Sequence, residues 1–88
     1  MLKKTTIVWG SAADQNHEAL TAARWTKLVE MAQAQKIHLK EAEVVDDVTT
    51  VRFWKDQAAA SEFVTFIYSE AAKHGSTIIS ATIEDYVE

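Results

Sequence analysis

The sequence predicts a single α+β domain over residues 1–88, a four-stranded antiparallel sheet with two helices on one face. Three observations lead there. Short runs alternate in polarity, as half-buried strands do. Two longer stretches carry apolar residues at helical spacing. Their order is strand, helix, strand, strand, helix, strand. In that arrangement the helices cover one sheet face and leave the other for a ligand or a partner.

The first strand is expected from Thr5 to Trp9, with Gly10 opening the turn. Its parity stays open, since Ile7 and Trp9 oppose Thr6 and Val8. The first helix is expected from His17 to Gln35. Its core stripe reads Trp25, Leu28, Val29 and Ala32, with Thr21 one turn earlier. Arg24, Lys27 and Glu30 fall off that stripe, and Leu20 and Met31 sit at its edge. Ser11, Asp14 and Asn16 each qualify as a cap.

A hairpin follows, Glu41 to Val45 and Thr49 to Trp54, turning at Asp46 and Asp47. Val44 and Val45 conflict in parity, so the register of this strand is open. In the next strand Val51 and Phe53 are expected under the helices. Thr50, Arg52 and Trp54 would then face away from them. The second helix runs from an Asp56 cap to His74, with Gly75 just past its end. Ala60, Phe63, Ile67 and Ala71 form its stripe, widened by Val64 and Phe66. The last strand is expected from Thr77 to Ile83, with Ile79, Ala81 and Ile83 inward. Ile78, Ser80 and Thr82 would join the open face. Residues 84–88 read as a flexible tail.

Composition narrows the function classes. Thirteen acids against nine Lys and Arg give a net charge of −4, without the basic footprint that nucleic acids require. There is no cysteine, which removes disulfides, thiol nucleophiles and thiolate metal sites. No segment has the length of a membrane span, and the apolar run Ile7 to Trp9 is too short for a signal peptide. A cytoplasmic location is expected, with no membrane and no nucleic-acid partner. The two glycines, Gly10 and Gly75, do not make a phosphate loop. No cofactor is expected.

The layout resembles the ferredoxin-like fold, βαββαβ, and within it the dimeric α+β barrel proteins. In that superfamily two domains press their open sheet faces together. Members related to antibiotic-biosynthesis monooxygenases carry an aromatic or charged residue late in the third strand, then a short acidic turn into the second helix. The corresponding segment is Val51-Arg52-Phe53-Trp54-Lys55-Asp56-Gln57-Ala58-Ala59. The histidine frequent near the start of the second helix has no counterpart between Ala58 and Phe63, which speaks against haem or oxygenase chemistry. RNA-recognition motifs share the layout, but Thr49 to Trp54 lacks their third-strand signature. Regulatory amino-acid-binding domains of the ACT type place their ligand near a turn like Gly10 to His17, with a proline-glycine step that this chain lacks.

Arg52 and Trp54 are the leading site candidates. Two apart on one strand, they leave the same sheet face. A guanidinium grips carboxylate or phosphate, and an indole offers a stacking surface. The same pair also suits a subunit interface, the plainer reading. Ser80 and Thr82 would share that face. His17 could act as an acid or base at the sheet rim, although a local hydrogen bond at the helix start suffices to explain it. His38 reads as surface and His74 as a helix-end cation. The histidines lack compact metal-ligand spacing, so no metal site is expected. Glu41 with Glu43, Asp46 with Asp47, and Glu84 with Asp85 read as solvated acids, and Glu70 as a rim residue.

Two functions follow as expectations. The first is a homodimeric interaction or structural domain joined through the open face. The second is a small-molecule-binding or enzymatic domain acting on an anionic or aromatic compound at Arg52 and Trp54. No catalytic constellation is evident.

Overall fold

The computed structural model describes residues 1–38 and 42–88. It is an α+β fold with strands β1 (Lys3–Trp9), β2 (Glu43–Asp46), β3 (Thr49–Trp54) and β4 (Ile78–Asp85). The described helices are α1 (Ala12–Gln15), α2 (Glu18–Gln33) and α3 (Gln57–His74). The sheet is antiparallel in the order β2-β3-β1-β4. The core lies between one sheet face and the helices, built on Trp9, Leu20, Met31, Trp54, Phe63 and Ile67. The expected strand start at Glu41 lies outside the described residues. Among the described residues no helix is long and apolar enough to cross a membrane.

The second predicted helix is α3, with the stripe as read. Ala60, Phe63, Ile67 and Ala71 are buried, and the Asp56 side chain accepts from Ala59 N at 2.9 Å. Gly75 ends it at φ 72°, which lets Ser76 N donate to Ala71 O at 2.9 Å. No glycine follows α2. Gln35 takes the left-handed conformation there, at φ 58°, and Lys36 N reaches Met31 O at 3.0 Å.

The stripe of α2 differs from the sequence reading. Leu20, Leu28 and Met31 are buried, while Trp25 is 69% exposed. The inward face is turned by about a quarter turn, so Arg24 and Lys27 lie on it. Long cationic side chains tolerate such positions because their stems bury while their heads find partners. The Lys27 head pairs with Glu62 at 3.0 Å and lies 5.5 Å from the Phe66 ring centroid. Hydrogen bonds that the Lys27 ammonium donates to Glu62 and Glu30, the Glu62 one leading, hold it above its ordinary pKa. Bonds from Lys36 and Lys27 hold the Glu62 carboxyl below its own.

Strand parity also differs. β1 points Thr5, Ile7 and Trp9 into the core. Thr5 stands opposite Arg52 and Lys3 opposite Trp54 in the β1–β3 register. Arg52 and Trp54 therefore face the helices, and Val51 and Phe53 face the other way. The inversion has a reason: both alternate sets of β3 find apolar cover. Trp54 packs against Phe63 at 4.6 Å between centroids, and Phe53 packs against Tyr86 at 4.7 Å. Tyr86 is held by its N–H to Leu2 O at 2.9 Å. β4 itself continues through Glu84 and Asp85, which pair with Lys4 and Lys3, so these two residues are strand rather than tail.

Two irregularities settle the ambiguous strands. The β2–β3 register shifts between Val44 and Asp46, leaving Val45 as the extra residue. The β1–β4 register shifts between Val8 and Trp9, pairing Trp9 with Ile78. Ile78 thus packs on the core with Ala81 and Ile83, and Ile79 is 67% exposed.

Candidate functional site

A cavity of about 340 Å³ opens on the helix-covered sheet face, lined by β1, β2 and β3 on one side and by residues of α1, α2 and α3 on the other. Ile7, Phe63 and Ile67 give it an apolar floor, and Gln15, Asn16, Arg24 and Arg52 a polar end. Each polar group is set by local structure. Ser11 caps α1, its Oγ accepting from Asp14 N at 3.1 Å. Ser76 Oγ donates to Asp14 O at 3.0 Å, tying this short helix to the segment that enters β4. Gly10 permits the approach, since a Cβ there would lie 2.9 Å from Asp14 Oδ2.

Gln15 is buried and fully engaged. Its Nε2 donates to Asp47 O at 3.0 Å, and its Oε1 accepts from Thr50 Oγ1 at 2.8 Å. It joins α1 to the hairpin and frames the cavity mouth. Its carbonyl accepts from Arg24 Nη2 at 3.2 Å, and Thr21 Oγ1 lies 3.4 Å from the same nitrogen.

Arg52 differs from its neighbours. Its guanidinium lies 5.9 Å from the Phe63 ring centroid. Among the described residues no carboxylate lies within ion-pair distance of it, and no acceptor takes a hydrogen bond from it. Burial lowers its pKa to about 10, and the Arg24 charge adds to the effect. Burial also lowers the Arg24 pKa. At neutral pH both remain cations, so the cavity concentrates positive charge in a net acidic chain.

The other sequence candidates divide. Trp54 is 0% exposed within a single chain, and its Nε1 donates to the buried Thr5 Oγ1 at 2.9 Å. It is a core residue with its polar atom satisfied, not an open-face anchor. Ser80 and Thr82 lie on the opposite sheet face, through their register with Val8 and Thr6. His17 caps α2, its Nδ1 3.5 Å from Leu20 N, and stacks on His74 at 5.2 Å. Neither histidine lines the cavity. Glu70 lies 3.3 Å from His74 Nε2 and 3.4 Å from Lys73 Nζ. His38 pairs with Glu88 through Nε2. Among the described residues no cluster of His, Cys, Asp and Glu could hold a metal ion.

The sequence reading missed Gln15 and Arg24. A cation at the inward spacing Leu20, Arg24, Leu28, Met31 was the available signal for Arg24. Comparison with protein-family profiles, with curated proteins and with solved structures gave no match.

Proposed function

We propose that this chain is a small-molecule-binding domain of the ferredoxin-like kind, whose cavity takes a compact anion. Arg52, half-buried beside Arg24 and without a counter-charge among the described residues, is the observation that carries the reading. A part-buried cation without a counter-charge is costly, and a bound anion would supply one. The strand order, with α2 and α3 as the long crossovers on one face, supports the ferredoxin-like assignment. Binding is favoured over turnover because the polar end offers guanidinium groups that hold charge. Calorimetric titration of small organic anions tests the proposal. Binding that disappears in Arg52→Gln supports it, and equal binding by that variant overturns it.

A second reading concerns the opposite sheet face. The helices pack on the other side, leaving Thr6, Val8, Ser80 and Thr82 as a surface on which a second copy could sit. With Trp54 and Ile78 turned inward, and Val51 and Phe53 buried on that side, Val8 is the apolar residue among these four. Light scattering over a wide concentration range should show a dimer that Val8→Lys converts to monomer. A wild-type monomer at every concentration would remove this reading without touching the cavity.

A further inference from the structure

We propose that the cavity selects a single carboxylate carried on an apolar or aromatic body, with the carboxylate set between Arg24 and Arg52. This rests on the reading of the cavity as an anion site and names the class of anion.

The donors come first. A guanidinium carries five N–H groups in a planar fork that matches the two oxygens of a carboxylate. Arg24 directs one nitrogen at Gln15 O and Thr21 Oγ1, which leaves the rest of its fork uncommitted in these contacts. Arg52 lies against the Phe63 ring, which restricts its guanidinium. The two cations approach from α2 and β3, so one anion between them relieves their mutual repulsion.

The apolar part of the wall, rather than the donor count, argues against a phosphate. Phosphate sites add backbone N–H groups or a helix N-terminus to surround three or four oxygens. Here the Gln15 amide is spent on Asp47 O and Thr50 Oγ1. Each fork can engage two oxygens, so the two guanidiniums alone would serve either anion. Thr5, Asn16, Asp47 and Thr50 add polar lining, and the apolar part of the wall, Ile7, Trp9, Phe63 and Ile67, rewards an apolar body. A volume of about 340 Å³ holds about eleven waters at ~30 Å³ each. That space suits an acid of about ten to fifteen non-hydrogen atoms.

The test is isothermal titration calorimetry on the whole chain with phenylacetate, phenylacetamide, acetate and inorganic phosphate. Phenylacetate should bind at least ~10-fold more tightly than each of the others, the size of one lost charged contact. Arg24→Gln and Arg52→Gln should each remove that preference while circular dichroism stays unchanged. Acetate or phosphate binding as well as phenylacetate would overturn this inference and leave the anion site standing. Equal binding of phenylacetamide would show the arginines idle, and no binding by any probe would do the same; either result removes both readings. The wild-type comparison of acid with amide needs no variant, so a misfolded mutant cannot hide the answer.

Discussion

Arg52 and Trp54 stand two residues apart on β3, on the same sheet face, and are treated oppositely. Trp54 is enclosed and its one polar atom is bonded to Thr5, so its burial contributes only stability. Arg52 is half-buried at a cavity, beside a second cation, with its donors unanswered among the described residues. The difference teaches how to separate core from site within one strand. A satisfied polar group explains itself by folding, whereas an unsatisfied buried charge needs another explanation.

Breaking the satisfied half should cost most. Trp54→Ala should destabilise the chain by about 3–5 kcal/mol in denaturant titration, through lost burial and a cavity against Phe63. Thr5→Val keeps the shape but strands the indole N–H, and should cost about 1–3 kcal/mol. Removing the charge from the unsatisfied half should act in the reverse direction. Arg52→Met keeps an apolar stem over Phe63 and should raise stability by roughly 1–2 kcal/mol while abolishing anion binding.

The pH dependence of Arg52 has a definite sign. Its folded pKa, about 10, lies below the ordinary arginine value, so the charged form is disfavoured by folding. The penalty is present in full below about 10 and is relieved as the pH rises from there towards the ordinary value. The Lys27–Glu62 pair sharpens the contrast, because these part-exposed partners answer each other. The lowered Glu62 pKa contributes stability above the ordinary 4.5, lost as pH falls through its folded value. The raised Lys27 pKa contributes below the ordinary 10.5, lost as pH rises through its folded value. Glu62→Gln should therefore lower the melting temperature slightly between those limits and leave it unchanged in acid. The smallest effect belongs to the end of α2. Gln35→Gly relieves a left-handed residue there and should add about 0.5–1 kcal/mol in a thermal melt.

Much of the architecture was legible because period is a strong signal. The stripe of α3, its Asp56 cap and its Gly75 stop all follow from spacing and from the conformational preferences of those residues. The site was less legible. The α2 stripe was misread because Arg24 and Lys27 occupy inward positions that a polarity pattern assigns to solvent. The parity of β3 was misread because both of its faces are covered, one by Phe63 and one by Tyr86, so polarity carried little information. Bulges at Val45 and at the Trp9 end of β1 shift register by one residue, which turns a side chain to the other face. Arg52 was recognisable as a candidate by its chemistry. Its partner Arg24 and the Gln15 frame depend on tertiary placement of a four-residue helix.

The central claim is that Arg52 lowers stability in exchange for binding. Its most direct test pairs a thermal melt with calorimetric titration of phenylacetate, on wild type and Arg52→Met. The melting temperature of the variant should rise by roughly 5–10 °C, with binding lost. A lowered melting temperature with binding unchanged would contradict it, and would make Arg52 a structural residue like Trp54.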